Sequence, residues 1–354
     1  MCSPYPCCER DTASVGTDNT RDRARATPTP GESVVSRTRS LAAFALTALL
    51  FGGTFVAAKA GLEHIPPLLF LAVRFDVGAV VLAGYAAVRL SAEDLRPKTV
   101  SDVIGILATG GLVVGLTNAF LFLGQQTTSS GVASIVFSLN PILTVAVAAV
   151  VLSGERPTPL GVAGTLLGLA GVVVVAGPSS LLAGDAGGVA LLAAGTVSIA
   201  VGTVLLRWAE PTLSSTARTV WGVPLAAILS HAASLAAGES LAQASFGPTA
   251  LVAIAYVGIG SGAVAYLAYF ELIDAVGPQR ANLAFYVVPL VSTVGGWALL
   301  GESVTASTLI GFGVVAGGFL LVLADDLGTT GLRALVGRPP SSEDAELPEP
   351  PRAD

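Results

Sequence analysis

The chain has 354 residues, of which 53% are hydrophobic and only 12% charged, with a mean hydropathy of +0.75. Soluble domains carry about 25% charged residues, so this composition excludes a water-soluble globule of this size. The net charge of −6 excludes a basic track for a nucleic-acid backbone. Cys2, Cys7 and Cys8 are all confined to the start, and His64 and His231 are the only histidines, which excludes a disulfide framework or a His-rich metal centre in the body of the chain.

In chain order, residues 1–39 are rich in Pro, Thr, Ser, Arg and Asp and read as a disordered cytoplasmic tail. No apolar stretch follows Met1 directly, so a secretory signal is not expected. A first unit, 40–178, holds five apolar blocks at roughly 41–61, 67–89, 100–123, 131–152 and 159–176. A second unit, 185–325, holds five more at roughly 187–206, 214–236, 248–270, 279–300 and 306–324. Residues 326–354 read as a second polar, disordered cytoplasmic tail. Each block has the length that crosses about 30 Å of hydrocarbon. Pro67 and Pro159 fall at first helical turns, where a missing N–H costs little. The expectation is an all-α membrane protein with ten transmembrane helices.

Cation placement sets the orientation. With the N-terminus in the cytoplasm, inner segments receive Arg37, Arg39, Arg89, Arg96, Lys98, Arg156, Arg207, Arg280, Arg333 and Arg338. The outer loops then receive none, so both termini are expected on the cytoplasmic side of the plasma membrane.

The two units resemble each other. Gly53-Thr54-Phe55-Val56 in span 1 matches Gly202-Thr203-Val204-Leu205 in span 6. Span 4 carries Asn140-Pro141 at mid-depth and ends in Gly154-Glu155, while span 9 carries Val288-Pro289 and ends in Gly301-Glu302. Gly111 and Gly115 recur as Gly258 and Gly262, and Gly164 and Gly168 as Gly313 and Gly317. Five spans per unit is an odd number, so the second unit enters the membrane from the opposite side. That is an inverted-topology repeat, the organisation of many secondary transporters.

The series F-G-G-T-F-V-A-A-K (51–59), L-A-V-R-F (71–75), N-P-x10-L-S-G-E (140–155) and P-x8-A-L-L-G-E (289–302) resembles the EamA-type branch of the drug/metabolite transporter superfamily over residues 41–324. The resemblance implies a ten-helix permease for small metabolites, often an exporter of amino acids or related compounds. It also implies a central cavity walled by helices 1, 3, 4, 6, 8 and 9. Where such proteins often carry Trp-Gly in span 1, this chain has Phe51-Gly52.

An ionisable group within the bilayer needs a partner or a purpose. Arg74, two turns into span 2, reads either as a bidentate receptor for a substrate carboxylate or as a bridge to another helix. Asp76 faces away from it. Asn118, Asn140, Tyr266, Asn282 and Tyr286 are polar handles for substrate or for interhelical bonds. Pro141 and Pro289 interrupt the helical ladder and read as scaffold or hinges. Gly154, Glu155, Gly301 and Glu302 read as structural elements of the span ends, next to Thr158 and Thr305 as helix caps. Lys59 is placed to pair with Glu63, and His231 reads as a satisfied or interfacial histidine.

No GxxxxGK[ST] loop occurs, which excludes nucleotide-driven pumping by this chain alone. No constellation suited to catalysis is seen, so an enzyme is not expected, nor is a cofactor or metal. The expected partners are the lipid bilayer, a small-molecule substrate and protons as coupling ion, with the carrier a monomer or homodimer. The rival readings are a nucleotide-sugar or drug carrier of the same superfamily, and a membrane signalling or scaffold protein acting through its tails.

Overall fold

The computed structural model describes residues 30–152, 158–182, 186–265, 268–269, 272 and 284–336. Within them the chain is helical, in the order α1 (Pro30–Leu62), α2 (Pro67–Arg89), α3 (Val100–Gly124), α4 (Ser130–Val151), α5 (Pro159–Leu182), α6 (Ala186–Ala209), α7 (Ser215–Ala236), α8 (Pro248–Val264), α9 (Ala284–Leu300) and α10 (Ala306–Val336). Among the described residues, seven of these helices are long and apolar enough to cross a membrane, and shorter apolar helices lie at Pro159–Val175, Pro248–Val264 and Val287–Leu300.

Local chemistry sets the helix starts. Pro67 and Pro248 occupy first turns. Thr99 accepts from the amide of Asp102, whose carboxylate answers the Thr99 amide, closing a capping box at α3. Ser129, Thr158, Ser214 and Thr305 cap α4, α5, α7 and α10 through side-chain oxygens. The outer surface is apolar: Val80, Val88, Val150, Leu235 and Leu299 are each more than 70% exposed. The inside carries buried hydroxyls on Thr117, Ser130, Ser134, Thr196 and Ser292 beside a core of Phe70, Leu71, Phe122, Ile135, Leu139, Ile142 and Leu192. An apolar exterior around a partly polar interior suits hydrocarbon as solvent.

The helices interleave between the two parts of the chain. α1 lies against α8 and α9, and α6 lies against α3 and α4. α2 runs along α7, α5 along α10, and α4 meets α9. Exchanging helices 1–5 with 6–10 carries this pattern onto itself. The α5–α10 contact is a close approach of backbones, with Gly164, Gly168 and Gly171 set against Gly311 and Gly318. Gly313 and Gly317, the repeat counterparts of Gly164 and Gly168, do not make this approach: a Cβ on Gly313 would meet open space, and one on Gly317 only Leu167.

Three interruptions mark the middle of the bundle. α3 is π-helical over Ala108–Leu116, and α8 is π-helical over Tyr256–Val264. α4 breaks between Phe137 and Asn140, just before Pro141, whereas α9 continues through Pro289. Proline cannot bond to the carbonyl four residues back, which weakens the ladder at each of these places, and only α4 breaks. Local π geometry recurs at functional sites, and here it occurs at corresponding places in the two parts of the chain.

Candidate functional site

The glycine pairs of the sequence repeat are notches for the two π-helical segments. Any Cβ on Gly53 of α1 would collide with the Tyr256 hydroxyl of α8, and one on Gly202 of α6 would meet Val113 of α3 at 2.6 Å. Hydroxyls satisfy the backbone there. The Tyr256 hydroxyl donates to the Leu49 carbonyl (3.0 Å), while Ser198 and Thr117 both donate to the Leu112 carbonyl (3.0 and 2.8 Å). On the other side of α1, Gly52 admits Val291 of α9. Phe51 stacks on Phe285 at 5.4 Å and on Tyr269 at 6.5 Å, so an aromatic cluster forms with phenylalanine at that position.

The sequence-predicted polar residues do not form one cluster among the described side chains. Arg74 is buried, its guanidinium 4.5 Å from the centre of the Phe75 ring and 5.4 Å from that of Phe122. Asn118, half-buried, donates through Nδ2 to the Val114 carbonyl (2.7 Å). Asn140 accepts from the Thr144 hydroxyl (3.2 Å) and keeps an amide N–H pair for another partner. Tyr286 lies in α9, but its side chain is outside the described residues, as are Tyr266, Asn282, Gly154 and Glu155. Pro141 opens the second part of α4, and Pro289 sits inside α9.

The densest polar arrangement lies where α1, α3 and α9 end and α4 begins. The Lys59 ammonium donates to the Gln125 carbonyl (2.6 Å) and to the Gln126 carbonyl (3.4 Å), two acceptors left over at the end of α3. The Glu302 and Glu63 carboxylates also act on its charge. The Glu302 carboxylate accepts from the Ser130 amide (2.9 and 3.1 Å) and the Ser130 hydroxyl (3.1 Å). Gly301 makes this possible: its φ of 67° reverses the chain after α9, and the Glu302 amide returns to the Gly296 carbonyl. Glu302 therefore stabilises the start of α4, a helix from the other part of the chain, and not the helix that follows it. Two more bonds draw the group together. The fully buried Gln125 donates to the Phe55 carbonyl (3.0 Å), and Ser292 donates to the Ser130 carbonyl (2.8 Å).

Two carboxylates that the sequence reading passed over make similar ties. At the same end as Glu302, Glu239 accepts from the Leu69 amide (2.7 Å) at the start of α2 and from the Ser234 hydroxyl (3.0 Å). At the opposite end, Asp102 accepts from the Leu213 amide (2.8 Å), the Thr212 hydroxyl (3.0 Å) and the Lys98 amide (2.9 Å). The T-x-x-D spacing from Thr99 announces the cap but gives no sign of the contact with the approach to α7. A further cross-helix contact joins Asp76 of α2 to His231 of α7, at 2.8 Å. The indole N–H of Trp221 donates to the Leu95 carbonyl (2.7 Å), and Trp297 faces outward.

The sequence model of the EamA-like transporter family matches residues 38–177 and, a second time, residues 186–324. The chain belongs to the EamA-like transporter family. It is thus a multi-pass membrane transport protein. A protein of Archaeoglobus fulgidus named as a transporter is 29% identical over 281 residues, spanning 79% of this chain and 96% of the relative. The inner membrane transporter YedA of Escherichia coli is 29% identical over 291 residues, spanning 77% and 87%. The transporter YdfC of Bacillus subtilis is 24% identical over 273 residues, spanning 76% and 86%. A solved crystal structure is similar at a TM-score of 0.55 and 26% identity, covering 80% of this chain and 97% of the other. These EamA relatives are named for transport, and the chain's own chemistry is that of ties between helices.

Proposed function

We propose that this EamA protein is a ten-span carrier made of two inverted five-helix repeats, 40–178 and 185–325, working by alternating access. It moves small polar metabolites, amino acids or their relatives, outward across the cytoplasmic membrane, with both termini inside. The interchange of helix contacts between the two parts of the chain supports the repeat, and the one-sided placement of loop cations supports the orientation. In that orientation the Lys59 and Glu302 contacts lie at the external end.

The observation that carries the reading is the Glu302 tie. An end held shut by a few hydrogen bonds between helices of different repeats can be opened without unfolding either repeat. The two π-helical segments and Pro141 supply backbone that rearranges at mid-depth. Arg74, Asn118, Asn140 and Tyr286, with Tyr266 and Asn282, are the proposed substrate contacts. Arg74 takes a carboxylate, and the amides take the remaining polar groups. Pro141, Pro289, Gly154, Glu155, Gly301 and Glu302 are the proposed scaffold of the gates.

The test is uptake of labelled amino acids by proteoliposomes, comparing wild type with Arg74→Ala and Asn140→Ala. A substrate moved by wild type and lost or weakened at least tenfold in both variants supports the site. Uptake unchanged in both folded variants would dismiss it.

A further inference from the structure

The Asp76–His231 contact is unusual in where it lies. Asp76 is nine residues beyond Pro67, about 14 Å along α2, and His231 is five residues before Ala236, about 8 Å from the end of α7. Both therefore sit within apolar spans. Their side chains are 51% and 46% exposed, on a stripe shared with Val80 one turn along α2 and with Ile228 and Leu235 on α7. The surface around the pair is thus hydrocarbon-facing, and it is the seam between α2 and α7, one helix from each half of the family match.

Charge balance decides what such a pair needs. Where Asp76 is ionised it can only accept, and Nε2 of His231 then carries the hydrogen shared with Oδ2. With Nδ1 bare, the pair holds a net charge of minus one against lipid, which is unfavourable, most of all at the bilayer centre. A proton taken from water onto Nδ1 makes the pair an imidazolium–carboxylate with no net charge. Among the described residues, the contacts of the other charged groups run elsewhere. Arg74 lies on the opposite side of α2 against Phe75 and Phe122, Lys59 of α1 is held by the carbonyls of Gln125 and Gln126, and Glu239 at the end of α7 adds negative charge. Among the described residues, α3 beyond Asp102 has no ionisable side chain, and in α8 only Tyr256 is titratable, its hydroxyl bound to the Leu49 carbonyl.

We propose that Asp76 and His231 form a proton-binding site on the α2–α7 seam, the proton entering at Nδ1 of His231. Under the carrier reading it deepens the account of energy supply: a bound proton tightens the seam, and its loss leaves a lipid-facing anion that loosens it. Binding itself does not depend on that reading.

The chain has only two histidines, which makes the test direct. In a His64→Gln background with 15N-labelled histidine in lipid nanodiscs, NMR reports the protonation of His231 alone across about pH 5 to pH 9. Asp76→Asn should change the pH at which the doubly protonated imidazole gives way to the neutral ring. An imidazole neutral throughout, or a midpoint that Asp76→Asn leaves in place, overturns the site. In proteoliposomes, an imposed pH gradient should raise amino acid accumulation by the parent and not by Asp76→Asn, and an equal response overturns the coupling. Absence of any transport by the parent would count against the carrier reading, while the titration still decides the proton site.

Discussion

Replacing Glu302 by Gln tests the external tie without changing its shape. The carboxylate makes three contacts of 2.9–3.1 Å with the amide and hydroxyl of Ser130 at the start of α4. The amide keeps an oxygen that can accept but gives up the negative charge facing the helix N-terminus. That charge contributes about 0.3–1 kcal/mol at an exposed helix end and up to about 2 kcal/mol when partly buried. A loss of about 1–2 kcal/mol shifts a two-state balance about 5–30-fold towards the open form. Glu302→Ala removes the acceptor too and should shift it further. With Cys2, Cys7 and Cys8 replaced by serine, spin labels at Gln126→Cys and Val304→Cys would report the separation of the α3 and α9 ends. Both residues are exposed and flank the tie. The wild type should give mostly the short distance, Glu302→Gln a mixed population and Glu302→Ala mostly the long one. Identical distance distributions in all three proteins, with helicity unchanged by circular dichroism, would refute the gate.

Other outcomes follow from single contacts. Gly301→Ala places a Cβ at φ 67° and should cost about 1–2 kcal/mol, seen as a lower melting temperature together with a weakened Glu302 tie. Asp102→Ala strands the buried Leu213 amide and the Thr212 hydroxyl, so a loss of about 3 kcal/mol is expected in denaturation, much more than for Asp102→Asn. Gly318→Leu drives a side chain into the backbone of Gly164 and Gly168, and should separate α5 from α10 or prevent stable expression. In the loop after α2, hydrogen bonds from the Ser91 hydroxyl and amide hold the Asp94 carboxyl below its ordinary range. Their stabilisation of the single turn Ala92–Leu95 is present above the ordinary carboxylate range and is lost as pH falls through the lowered value. Ser91→Ala should move the Asp94 titration upward by carboxyl NMR, and an unmoved titration would show that the Ser91 hydroxyl is not its cause.

The sequence by itself determined where several helices start, although α1 opens at Pro30 and α10 runs to Val336, both inside segments read as disordered tails. Apolar runs bounded by Pro67, Thr99, Ser214, Pro248 and Thr305 placed the starts of α2, α3, α7, α8 and α10 within a residue, because span length and capping are local properties of the chain. The repeated Gly and Pro positions were legible for the same reason, since each marks a backbone need at its own place. The π-helical segments were not, because shifting a bond from the fourth to the fifth residue leaves no periodic trace in Gly110-Gly111 or Gly258-Ile259-Gly260. Only the tertiary structure decided the partners of the polar groups. Glu302 serves α4, Lys59 serves α3, Asp102 serves the approach to α7 and Asp76 meets His231. Each of these contacts spans at least 66 positions of the chain, and in a bundle the partner is fixed by which helices touch and at what rotation. Spacing along one helix carries no record of that, as the α5–α10 seam demonstrates in choosing Gly311 and Gly318 over Gly313 and Gly317.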